Sequence, residues 1–118
     1  DAGLSVFMYN FARPIPIPAL QPLDLRATHG AEIAYVFGSV GPDLVGADDL
    51  DLSMSMRRYW GRFASSGDPN EGGDPSWPPF RSTSDFRLNF DVPISPVNDF
   101  RSDLCAFWES VYDGGFVE

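Results

Sequence analysis

The stretch Val6-Phe7-Met8-Tyr9-Asn10-Phe11 constrains the fold most, because a strand made from it carries apolar groups on both faces. Side chains alternate along a strand, so Val6 and Met8 share one face with Asn10, while Phe7, Tyr9 and Phe11 share the other. A strand that must bury both faces belongs inside an α/β sheet covered by helices, and fits a solvated edge poorly. The pattern predicts a strand over residues 5–12. The prolines that follow each lack a backbone donor, so Arg13 to Pro22 reads as an extended, polyproline-like loop crossing the end of the sheet. Pro14, Pro16 and Pro18 are not spaced as PxxP, which argues against a proline-recognition ligand.

Helical spacing appears next. Ala31 to Phe37 reads as a short helical turn closed by Gly38, and Gly41-Pro42-Asp43 supplies turn chemistry in the loop to Gly46. Leu52, Met56, Tyr59, Trp60 and Phe63 recur on one face and predict a long helix over 49–66. Asp48 is its expected N-cap, further acids sit in its first turn, and Gly67 is its stop. Met54, Met56 and Trp60 are assigned to packing. Residues 67–79, dense in Gly, Pro, Asp and Asn, read as a surface loop. Their acids do not follow the EF-hand spacing, so no metal set is implied.

Residues 87–91 predict a short strand with Leu88 and Phe90 on one face, stopped by Pro93 and Pro96. A last helix is expected from Asn98 to Gly114-Gly115, with Phe100, Leu104, Phe107, Trp108 and Val111 on one side. Cys105 is read as a small buried hydrophobe on it. The order strand, helix, helix, strand, helix implies an α/β layer piece with two sheet strands, two long helices and a short helix. The strands near 5–12 and 87–91 should be sheet neighbours, with the 49–66 helix on one face.

The chain has the length of one domain, 118 residues, and no second domain is indicated. Its formal charge of −9 argues against nucleic acid, whose phosphates repel such a surface. No apolar run reaches the length of a membrane span, and no basic region followed by an apolar core opens the sequence. One cysteine cannot make an internal bridge and leaves the redox compartment open.

The candidate chemistry centres on His29, the single histidine. It stands on a loop between a strand and a short helix, where a rigid scaffold can aim an imidazole at a substrate for proton transfer. Gly30 beside it permits tight backbone geometry. From these residues alone, a loop or core histidine with a satisfied hydrogen bond is the weightier reading.

Longer blocks change that balance. Val6 to Phe11, His29 to Gly38, Leu52-Ser53 with Arg58-Tyr59-Trp60, Phe63 to Asn70, Trp77 to Phe80, Leu88 to Phe90, and Leu104 to Trp108 follow one another in an order that resembles the type-B carboxylesterase and cholinesterase family. The resemblance covers nearly the whole chain. It implies the C-terminal segment of a single α/β-hydrolase catalytic domain, with the missing N-terminal part of the same enzyme as partner and a small-molecule carboxylic ester as substrate. The family also suggests antiparallel pairing of the two strands, although a helical crossover by itself favours parallel pairing.

By resemblance His29 is the catalytic histidine, Glu32 a carboxylate supporting its loop, and Gly30, Ala31 and Ile33 line the substrate gorge. The supporting role is preferred over the other reading of Glu32, a first-turn acid facing solvent and the helix dipole. The resemblance implies no cofactor or metal. Family members often bridge the Cys105 position to an upstream cysteine.

The rest of the triad is missing. There is no G-x-S-x-G turn, and upstream of His29 stand Ser5 as the one serine and Asp1 and Asp24 as the acids. The nucleophile, triad acid and oxyanion hole are therefore expected outside these residues, leaving the isolated chain inactive. A cholinesterase-like adhesion domain without a nucleophile is the alternative, and a small independent acidic interaction domain is a third reading. The compartment stays open between secreted and cytoplasmic, with secreted preferred.

Overall fold

A strand, two helices, two more strands and a final helix follow in order in the computed structural model, which describes residues 4–14, 16–23, 25–81 and 83–113. They are β1 (Tyr9–Phe11), α1 (Ala31–Val36), α2 (Ala47–Ser66), β2 (Arg87–Phe90), β3 (Ser95–Val97) and α3 (Ser102–Asp113). The described sheet has the order β1-β2-β3. β1 pairs with β2 in register, Tyr9 opposite Leu88 and Phe11 opposite Phe90, and the pairing is parallel. The antiparallel expectation is corrected here: α1 and α2 lie between the two strands, and a helical crossover returns the chain in the same direction.

β3 was not anticipated. Pro93 and Pro96 were expected to end pairing, yet Ser95–Val97 runs antiparallel to β2, with Pro96 opposite Leu88. A proline is tolerated on an edge strand, where one side of the backbone has no ladder to complete. The polyproline reading of 13–22 is also revised, since Pro18–Leu23 closes into a 3-10 helix.

The core forms where α2 lies against the sheet. Leu52, Met56 and Tyr59 from α2 meet Leu88 and Phe90 from β2, with Tyr35 and Trp77 closing the cluster. Burying a side chain such as Phe90 or Leu88 contributes about 1.5–3 kcal/mol. Trp77 is held from three directions: its Nε1 donates to the Met8 carbonyl at 2.9 Å, its N–H donates to Asn70 Oδ1 at 2.6 Å, and its carbonyl accepts from Asn70 Nδ2 at 2.8 Å. One asparagine thus imitates a strand neighbour and brings the 67–79 loop onto the sheet. That loop is also tied to α2 by Asp74, which accepts from Arg58 Nε at 2.9 Å and Arg62 Nη2 at 2.7 Å.

The helix ends differ in detail from expectation. Gly46, and not Asp48, caps α2; Asp48 and Asp49 lie in its first turn, and Gly67 closes it in the left-handed conformation at φ 79°. Phe63 of the predicted stripe remains exposed at 48%, and so does Met54, assigned to packing, at 46%. α3 starts at Ser102 because Asp99 and Arg101 take positive φ, which breaks the helical path from Asn98. Its Leu104, Phe107 and Trp108 face solvent, and Cys105 is exposed, not buried. The expected stop at Gly114-Gly115 lies outside the described residues.

β1 forms an edge of the described sheet, and Val6 and Tyr9 are exposed. The burial of both faces expected for this strand is therefore not met within these residues. Among the described residues no helix is long and apolar enough to cross a membrane.

Candidate active site

The His29 loop is built from two turns of backbone. Ala31 N–H donates to the Thr28 carbonyl at 3.1 Å, and Ile33 N–H donates to the Gly30 carbonyl at 3.2 Å. The first closes a tight turn with His29 and Gly30 at its centre; the second starts α1. Gly30 sits at φ 81°, ψ 0°, a left-handed conformation that glycine adopts without a steric penalty. His29 therefore projects from a turn fused directly to a helix, and its side chain is exposed.

α1 has only six residues, too few to be stable alone, so its position depends on what it packs against. Tyr35 is the buried residue of this helix, and Val36 packs against the same core. Tyr35 is 4% exposed, its ring lies 5.1 Å from that of Phe11, and its hydroxyl donates to Asp49 Oδ1 at 2.8 Å. Its main-chain carbonyl accepts from Ser53 Oγ at 2.8 Å. Arg13, just past β1, completes the cluster with Nε on Asp49 Oδ1 at 2.7 Å and Nη2 on Oδ2 at 2.9 Å. Asp91, after β2, lies 3.8 Å from Arg13 Nη1.

Charge in this cluster is fixed over ordinary pH. The hydrogen bonds from Arg13 hold the Asp49 carboxyl below its usual range against the opposing effect of burial, and Tyr35 adds to the lowering. Burial, and then the hydrogen bond to Asp49, push the Tyr35 phenol well above its usual value. Arg13 is raised by the same carboxylate. The result is a permanently ionised pair with a neutral phenol, linking the end of β1, α1 and α2.

Of the residues singled out from sequence, Gly30 and Ala31 line a pocket of about 210 Å³ together with Phe11, Arg13, Ala34 and Tyr35. Ile33 points outward and is 55% exposed, as is Phe37 at 79%. Glu32 lies in the first turn of α1 and is half-buried. Among the described residues no hydrogen bond joins its side chain to His29; its charge instead acts on Tyr9, whose phenol is raised by burial and, secondarily, by Glu32. The Arg13–Asp49–Tyr35 cluster escaped the sequence reading. Its one signal was Asp49, an acid in a first turn, and that position is ordinarily explained by the helix dipole. Among the described residues no group of three or more His, Cys, Asp or Glu is placed to hold a metal ion.

Comparison with known proteins gives a consistent picture. Residues 1–108 match the model of the Carboxylesterase family. Carboxylesterase 1D of Rattus norvegicus is 33% identical over 113 residues, covering 94% of this chain and 20% of that protein. Acetylcholinesterase of Gallus gallus is 38% identical over 93 residues, covering 75% of this chain and 12% of the relative. The solved structure of a PNB esterase superposes with a TM-score of 0.72 at 26% identity, over 86% of this chain and 21% of the other. The chain thus spans about a fifth of the length of the first of these curated relatives.

Proposed function

The chain belongs to the carboxylesterase family and has a piece of the α/β-hydrolase fold, and from that premise we propose that His29 is the general base of a serine-dependent ester hydrolysis. On this reading the chain is the C-terminal segment of one catalytic domain. The serine nucleophile and triad acid come from the part of the domain that these residues do not include. The substrate is a small carboxylic ester. His29 takes the serine proton as the oxygen attacks the ester carbonyl, then delivers that proton to the departing alkoxide. Water repeats the exchange on the acyl-enzyme and frees the acid. Glu32, half-buried in the first turn of α1, is assigned to holding the loop, and Gly30, Ala31 and Ile33 to the wall of the substrate site.

The observation that carries this reading is the exposed position of His29 on a turn locked to α1, inside the matched residues. An imidazole that serves packing would be buried; this one is presented outward on a supported backbone. The test is His29→Ala in the enzyme that contains this chain. A fall in kcat of about 10⁴-fold or more, with an unchanged melting temperature, is expected. Retention of ester turnover by that variant overturns the assignment, and so does turnover by the 118-residue chain alone.

A further inference from the structure

We propose that Arg13, Asp49 and Tyr35 are positioning residues for His29, a role that rests on the reading of His29 as the base. Asp49 is 2% exposed and accepts three hydrogen bonds, two from Arg13 and one from Tyr35. A first-turn carboxylate interacts favourably with the helix dipole while remaining in water. Turning it inward incurs a desolvation penalty that a buried ion pair commonly only balances. Stability alone is therefore a weak reason for the arrangement, and its geometry offers a stronger one.

The three residues join three elements at the point where His29 is held. Arg13 follows β1, Asp49 opens α2, and Tyr35 lies in α1, whose first residues share backbone hydrogen bonds with the His29 turn. Arg13, Gly30 and Tyr35 border the same pocket of about 210 Å³. A six-residue helix has no independent stability, so a shift of Tyr35 carries Ile33, Gly30 and the His29 ring with it. The charged and titratable groups facing Asp49 are Arg13 from the β1 end, Tyr35 from α1 and, across Arg13, Asp91 after β2.

The experiment uses the complete enzyme containing this chain, with p-nitrophenyl acetate as probe, and compares Tyr35→Phe, Asp49→Asn, Asp49→Glu and His29→Ala. Asp74→Asn is the control, since Asp74 is a second well-buried carboxylate paired with two arginines, in the 67–79 loop. Asp49→Asn should lower kcat on the order of 10²-fold with KM little changed, as expected when a reacting group is misplaced by about 1 Å. The acid limb of its kcat/KM profile should shift as well, Tyr35→Phe should show a smaller effect of the same kind, and Asp49→Glu should recover part of the loss. Asp74→Asn should lower the melting temperature and leave kcat and the pH profile in place. If Asp49→Asn fails to fold, Tyr35→Phe, which removes one hydroxyl, carries the test.

The proposal is overturned if Asp49→Asn or Tyr35→Phe loses thermal stability as the control does while keeping kcat and the pH profile. An active His29→Ala enzyme instead overturns the assignment of the base, and the positioning role with it. An inactive His29→Ala enzyme beside unperturbed Asp49→Asn and Tyr35→Phe enzymes overturns the positioning role alone.

Discussion

Ser53 Oγ donates a 2.8 Å hydrogen bond to the main-chain carbonyl of Tyr35, so the long helix grips the short one by its backbone. Both residues are buried, and the same carbonyl also accepts from the Gly38 N–H at 3.2 Å, so removing the hydroxyl takes away one of two donors. Ser53→Ala is expected to destabilise the protein by about 0.5–1.5 kcal/mol, the net value of one hydrogen bond, read as a lower midpoint in urea with an unchanged m-value. A midpoint equal to the parent's would show that α1 is held by Tyr35 packing alone.

The Asp74 cluster sets an acid limit on stability. Hydrogen bonds from Arg58 first, and from Arg62, hold this carboxyl at about 2 against the opposing effect of burial. Because the folded value is depressed, the stabilisation is fully present above the unfolded carboxyl value near 3.9 and is lost as pH falls through about 2. Arg58 is half in water, so the expected contribution is about 1–2 kcal/mol. The parent should lose that much between pH 5 and about 2 relative to Asp74→Asn, whose stability should be flatter. Parallel curves for the two proteins would contradict the assignment.

Glu32 and Tyr9 offer a test that does not depend on activity. Burial raises the Tyr9 phenol and the Glu32 charge adds to it, so Glu32→Gln should lower the pH at which Tyr9 ionises. An ultraviolet phenolate titration, with Tyr9→Phe to identify the signal, reads this directly. An upward shift, or none, would place the Glu32 carboxylate away from Tyr9.

Gly30 should resist replacement. At φ 81° an alanine is strained by about 1 kcal/mol, although its Cβ would meet nothing closer than Ile33 Cδ1 at 3.7 Å. Gly30→Ala is therefore expected to fold, lose about that much stability, and lower kcat in the complete enzyme by altering the turn that carries His29. A variant with the same stability as the parent would show that the turn readily adopts another form.

The patterns that proved legible were those with long-range redundancy. Leu52, Met56 and Tyr59 repeat at helical spacing, and Leu88 and Phe90 alternate, so α2 and β2 could be read from the residues alone. β3 was hidden because Pro96 normally argues against a strand, and only its edge position makes it acceptable. Strand direction was legible in the helical crossover, which favours parallel pairing; the antiparallel expectation came from the family resemblance and not from any residue in β1 or β2. His29 could be singled out as the sole histidine, and the matched family gave it weight. The Arg13–Asp49–Tyr35 cluster could not be found, because its members stand 36 and 14 residues apart and meet only in the fold. Cys105 and the apolar residues of α3 suggested a buried face that α3 does not have among the described residues.

The parallel pairing of β1 with β2 also sets an order of events during synthesis. Asn10 and Asn89, hydrogen-bonded to each other, are separated by 79 positions, so β1 leaves the ribosome long before its partner exists. α2 closes its backbone hydrogen bonds within itself, whereas among the described residues the strand that leads into Arg13 gains its partner only with Leu88 and Phe90. The His29 turn is thus among the last of the described parts to become rigid. Nascent chains halted before Arg87 should show helical protection across α2 in hydrogen exchange and none at Ala31 and Ile33. Chains extended past Val97 should protect both.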